Sequence, residues 1–133
     1  MAQYKWVTLD AWTKKTQRRI DAVLKDSTQT VIRTAQKPKV KGGRMPKITG
    51  FLQGSLESSI AGGAKADGEE SYIMVAGNMK GGDLATFVWR AEYAAAVNNG
   101  NRGRPGAHFV EGAVDQWPAI VRASIAKAKA RVG

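Results

Sequence analysis

The chain has 133 residues, a 43% apolar fraction with 8% aromatics, no cysteine and a formal charge of +10. That length suits one compact domain spanning 1–133, and the composition excludes a disordered chain, whose hydrophobicity is lower and whose charge density is higher. Without cysteine there is no disulfide framework and no thiolate for nucleophilic, redox or metal chemistry, so packing alone must hold the fold, as suits a reducing cytoplasm.

The opening Met1-Ala-Gln-Tyr-Lys-Trp6 lacks the apolar core of a secretory signal, and nowhere is there a run of about eighteen apolar residues. A soluble chain with no membrane partner is expected. The charge is unevenly spread. Residues 1–47 hold 12 Lys/Arg against 3 Asp/Glu and carry +9, residues 48–115 carry −3, and residues 116–133 carry +4. Basic ends attract nucleic acid, an anionic surface or an acidic protein neighbour through the same field. In a ring of identical subunits, a basic end of one copy can meet the acidic middle of the next.

From Leu9 to about Gln36 the apolar residues Leu9, Trp12, Ile20, Val23, Leu24, Val31, Ile32 and Ala35 fall mostly three and four apart, which predicts one long amphipathic helix. Thr8 is the expected N-cap, with Asp10 in the first turn, and Pro38 disfavours helix at the residue before it. The opposite face carries Lys14, Lys15, Arg18, Arg19 and Lys25. It reads as a solvated face or a docking face. Lys37 to Lys47 packs five cations, two prolines and Gly42-Gly43 into eleven residues, so an exposed, mobile loop is expected.

Thr49 is positioned to cap a short helical turn reaching Ser55 or Leu56, with Ile48 packing onto that turn and Gly50 permitting close approach. Three strands are then predicted at Ser58 to Gly63, Ser71 to Gly77 and Thr86 to Ala91, from their β-branched and aromatic content and the Gly-rich turns between them. An antiparallel meander is the simplest arrangement, covered on one face by helices and on the other by neighbouring subunits. From Phe109 to Val132 a second amphipathic helix is predicted, broken or kinked near Asp115 to Trp117 by Pro118. The fold class is therefore α+β: a long N-terminal helix and a C-terminal helix packed on a small antiparallel β-sheet, with 37–47 and 98–108 as extended loops.

Candidate chemistry is sparse. His108 is the sole histidine, the G-x-S-x-G nucleophile elbow is absent, and the carboxylates Asp67, Glu69 and Glu70 lie in a Gly-bounded turn that suits solvated charge. No enzyme class, cofactor or metal is expected. Gly100 to Gly106 satisfies G-x-x-G twice, but the surrounding element order is not that of a KH nucleic-acid clamp. Of the four tryptophans, Trp12, Trp89 and Trp117 have packing roles ready, and Trp6 is the candidate for seating against another subunit.

Two motifs stand out: Met45-Pro-Lys-Ile-Thr49-Gly-Phe-Leu52-Gln-Gly-Ser55-Leu56, and Tyr93-Ala-Ala-Ala-Val97-Asn-Asn-Gly100 running into Arg102-Gly-Arg-Pro105-Gly-Ala-His-Phe109. Together they resemble the small tail-completion, or head-to-tail joining, proteins of long-tailed bacteriophages. The shared elements are Pro-x-x-Thr-Gly-x-Leu-x-x-Ser, here Pro46 to Ser55, and Tyr-Ala-x-x-Val-x-x-Gly, here Tyr93 to Gly100. An Arg/Gly/Pro loop and a Phe-led helix follow. The likeness covers roughly residues 9–130, and it departs at Asn98, where the family often has an acid, and at the step from Arg104 to Phe109.

The resemblance implies a virion structural protein, assembled in the host bacterial cytoplasm, that forms a hexameric ring at the neck. It would join the portal or head-completion protein to the tail tube or tail terminator, with DNA passing through the ring lumen. A closing ring needs a heterologous interface and loops that order on the next ring. The docking candidates are Lys37, Lys39, Lys41, Arg44, Lys47, Thr49, Gly50, Tyr93, Asn98, Gly100, Arg102 and Arg104. The alternative is a small basic nucleic-acid-binding protein with Lys14, Lys15, Arg18, Arg19 and the 37–47 loop as a phosphate track.

Overall fold

The computed structural model describes residues 2–46, 50–101 and 103–132, with side chains described throughout these except at 2–10, 40, 101, 104, 131 and 132. Helix α1, Ala2–Gln36, runs 35 residues, about 52 Å at 1.5 Å per residue. It begins before the expected cap, so Thr8 is an interior helical residue. No Gly or Pro lies between Ala2 and Gln36 to stop the helix earlier. It ends where Pro38 restricts Lys37.

The 37–46 segment is largely exposed, as expected, and it is not extended. It closes on itself as a hook: Lys39 N–H donates to the Met45 carbonyl at 3.1 Å, Met45 N–H to that of Lys37 at 3.2 Å, and Gly43 N–H to that of Pro38 at 2.9 Å. Lys39–Lys41 is a 3₁₀ turn within it, ended by Gly42 at φ 87°. Met45, at 0% exposure, anchors the hook in the core. The Pro and Gly content marked tight turns correctly, but the apolar side chain among five cations decided where the segment goes.

Gly50, at φ 77°, precedes α2 (Phe51–Gly54), the short turn expected here. Three strands follow in the order β2-β1-β3: β1 Leu56–Ile60, β2 Lys65–Asp67 and β3 Ala85–Trp89. Both pairings of β1 are antiparallel, with Ser58 opposite Ala66 on one side and Phe87 on the other. Leu56, Ser58 and Ile60 face inward, while Glu57 on the outer face pairs with Lys65 at 3.4 Å and Arg90 at 3.3 Å.

The predicted middle strand is wrong. Ser71–Gly77 is helix α3, and the third strand is the short β2, which the reading of the residues passed over. Tyr72, Val75, Ala76 and Met79 are all buried, an i, i+3, i+4, i+7 face, whereas Ile73 and Met74 are exposed. β-branched content is a weak prior over seven residues, and the helical period, available once Met79 is included, prevails. Because β3 pairs with β1 and not with β2, the sheet is not a meander. Ser58 and Ser71 hydroxyls, 2.8 Å apart, tie the helix to the sheet.

Helix α4, Ala94–Asn99, leads into a two-strand ribbon, β4 Gly100–Asn101 and β5 Arg104–Pro105. The C-terminal helix is divided, as expected, into α5 Phe109–Val114 and α6 Trp117–Val132. Ile120 N–H bonds the Gln116 carbonyl, so Pro118 sits in the first turn, where no intrahelical donor is needed.

Three buried clusters line the C-terminal half of α1. Ala35, Met45, Leu52, Ala94, Phe109 and Ala113 form one. Ile60, Val75, Ala76 and Met79 form the second, against Leu24, and Ile32, Leu56 and Tyr72 the third. Trp89 joins two of them, meeting Phe109 edge-on at 5.2 Å while its Nε1 donates to Gln36 Oε1 at 2.7 Å. Trp12 and Trp117, expected on packed stripes, are 63% and 39% exposed.

Candidate functional site

The two sequence motifs meet in space. In the one-turn α2, Leu52 and Gln53 face the core and Phe51 is left outside, 61% exposed. Its ring lies 6.1 Å from that of Tyr93, the first residue of the second motif and also exposed. Phe51, Gly54, Ser55, Arg90, Ala91 and Tyr93 border a shallow depression of about 650 Å³. Beneath it, Leu52, Ala91 and Ala94 belong to the cluster that also holds Met45 and Phe109. Both motifs and the hook therefore stand on one anchored base.

Asn98 is buried and bonds within its own chain. Its Oδ1 accepts from Val110 N–H at 3.1 Å, and its Nδ2 donates to both Glu111 oxygens at 2.8 and 3.1 Å. Ala107 N–H bonds the Val97 carbonyl at 2.8 Å and His108 N–H that of Asn98 at 3.0 Å. The 98–108 loop is thereby strapped to the start of α5, with Gly100 at φ 90° turning out of α4. His108 adopts φ 51° and places Nδ1 3.1 Å from Glu111 Oε2.

The Asn98 amide, and after it His108, hold the Glu111 carboxyl below its ordinary value of 4.5. A depressed acid contributes stability above the unfolded value and loses it as pH falls through the folded one. Asn98→Ala is expected to move the Glu111 titration up toward 4.5, read from its side-chain carboxyl resonance; an unmoved titration would remove Asn98 as the cause.

Lys37, Lys39, Lys41 and Arg44 are exposed on the hook, and Arg44 lies across α5 so closely that a Cβ on Gly112 would fall 2.6 Å from its Cδ. Gly112→Ala is therefore expected to swing the exposed Arg44 side chain aside at little cost, and because alanine gains about 0.5–1 kcal/mol over glycine within a helix, thermal unfolding should show no loss of stability. Lys47, Thr49 and Arg102, and with them the cap and Ile48 contact expected before α2, lie outside the described residues; of Arg104 the backbone alone is described. On α1, Lys14 and Arg18 are exposed, whereas Lys15 and Arg19 are half-buried.

Phe51 was missed among the candidates, because nothing local distinguishes it from Gln53, which flanks Leu52 on the other side and is buried. Among the described residues, no three His, Asp or Glu side chains gather where they could hold a metal ion. No family model, curated protein or solved structure matches the chain.

Proposed function

We propose that this protein is a virion structural component of the neck of a long-tailed phage, forming a closed ring that joins the portal assembly to the tail tube. What carries the reading is that the two motifs behind the phage resemblance converge on one exposed aromatic pair, Phe51 and Tyr93, above a shared buried base. A solvent-exposed aromatic pair on a rigid footing is the kind of anchor that interfaces use. The exposed cations Lys39 and Lys41 on the anchored hook suit contact with an acidic neighbour. The role is assembly without a reaction.

The test is sedimentation and electron microscopy of the purified chain, alone and with any portal and tail-tube proteins found encoded beside its gene. Closed rings, about hexameric by resemblance, are expected. Phe51→Asp should abolish them without unfolding the protein, since Phe51 is exposed. Deleting 39–44 keeps the buried Met45, and it should leave a folded subunit that fails to join particles. A chain that stays monomeric with every such protein, or infectious particles built with the deletion, would overturn the proposal.

The second reading, nucleic-acid binding, rests on the exposed Lys14 and Arg18 one turn apart on α1. It requires affinity for duplex DNA that falls with salt at a slope of about −0.9 per phosphate neutralised. No binding at low ionic strength would end it.

A further inference from the structure

Among the described residues, none from Ala11 to Ile20 on α1 is buried or belongs to a core cluster. Phe109 and Ala113 pack near Ala35, and Ser124 Oγ donates to Asp26 at 2.6 Å, so α6 runs back along α1 in the opposite direction. Between them, open to solvent, lies an apolar groove of about 580 Å³ that reaches from Thr16 to Ser27 on α1, about three helical turns. Leu24 and Ala128 lie along it, and Ile20 and Ile125 stand at 50% and 39% exposure. These side chains would be core in a larger bundle.

The charges lining the groove have one sign. Arg19 and Lys129 line it, and among the described residues no carboxylate does. The nearby acids are engaged elsewhere: Asp21 accepts from Gly81 N–H at 2.9 Å and from Gln17 at 3.2 Å, while Asp26 holds Ser124 and, at 3.7 Å, Lys127. Arg19 Nε is buried with no hydrogen-bond partner, and so is the hydroxyl of Ser27, itself 1% exposed in the groove lining. Buried donors without acceptors are costly, and a guanidinium is best satisfied by a carboxylate.

We infer that this groove is a docking site for an amphipathic helix of another protein, one with an apolar stripe and acidic flanking residues. Such a helix completes a three-helix packing, covers the exposed isoleucines, and brings a carboxylate to Arg19 and Lys129. A second copy of this chain fits less well. Its α6 contains no acid, and its α1 brings Lys14, Lys15 and Arg18 against like charge. This site is separate from the Phe51 and Tyr93 surface and stands without the ring reading.

The experiment uses the full chain and two fluorescein-labelled peptides of about four helical turns, with identical leucine stripes at helical spacing, one flanked by glutamates and the other by lysines. Fluorescence anisotropy should give tighter binding of the glutamate peptide by at least ~10-fold. Lys129→Glu, at an exposed position, should shrink that preference, and Arg19→Glu with Lys129→Glu should reverse it. Ile125→Asp should weaken the glutamate peptide at least ~10-fold with unchanged melting, because the site is partly exposed. Arg33→Glu, away from the groove, should leave the preference intact, which separates the site from general attraction to a basic protein. Phe51→Asp should bind the peptide normally even if rings are lost. Absence of binding, equal binding of both peptides, a preference that survives Lys129→Glu, or self-association that Ile125→Asp abolishes would each overturn the inference.

Discussion

Met45→Ala is expected to lower stability by about 2–4 kcal/mol, the range for truncating a fully buried side chain whose surroundings relax only partly. Met45 has no exposed surface and packs in the cluster that holds Ala35, Leu52, Ala94 and Phe109. Losing its thioether and methylenes leaves a void under both motifs at once. The hook depends on the same anchor, since Met45 supplies the carbonyl that Lys39 bonds and the N–H that bonds Lys37. Urea unfolding should show a lower midpoint with little change in slope, and amide exchange in 39–45 should quicken. Lys39→Ala and Lys41→Ala, on the same segment but exposed, should stay within about 0.5 kcal/mol of the parent. A Met45→Ala protein as stable as the parent would mean that the basic segment is a mobile loop after all.

Gly106→Ala is expected to be at least as damaging, by a different route. A Cβ there would collide with the Asn98 carbonyl oxygen and lie 2.7 Å from the Asn99 carbonyl carbon and 2.8 Å from the Gly100 nitrogen. Those are backbone atoms with no rotamer to escape into, so the ribbon must move away from the end of α4. The movement breaks the bonds from Ala107 and His108 to Val97 and Asn98, and with them the alignment of Asn98 on Glu111. A loss of about 3 kcal/mol or more is expected, together with loss of protection at the Ala107 and His108 amides. Gly103→Ala provides the contrast. It meets open space, its φ of 79° is the sole obstacle, and the expected cost is about 1–2 kcal/mol. Equal stability of the two variants would show that the close approach at Gly106 does not matter.

These two positions also mark what could be read in the chain beforehand. Gly106 lies in a loop whose Arg/Gly/Pro content announced a reversal, yet only the folded molecule places Asn98 beneath it. Met45 opens the first motif, yet among five cations nothing local said that it would be buried. The long N-terminal helix and the break before Pro118 were legible because period 3.6 and the proline restriction act within a few residues. The strand assigned to Ser71–Gly77 failed because local β-branched content was weighed over too short a window, and the buried face of α3 depends on what packs against it. The Phe51 and Tyr93 pairing joins residues far apart in the chain. No periodicity contains it.

By itself the sequence determined the α+β class, the long N-terminal helix, the broken C-terminal helix and the uneven charge. All of these follow from local sterics, hydrophobic period and counting. Tertiary structure alone decided that the described core lines α1 from Leu24 to Ala35, that the basic segment closes into a hook, that Asn98 works within its own chain, and that Arg19 faces a groove whose described lining holds no acid. The physical reason is that burial and electrostatic pairing are properties of neighbours. An apolar stripe reads the same whether its partner is another helix of this chain or one belonging to a different protein.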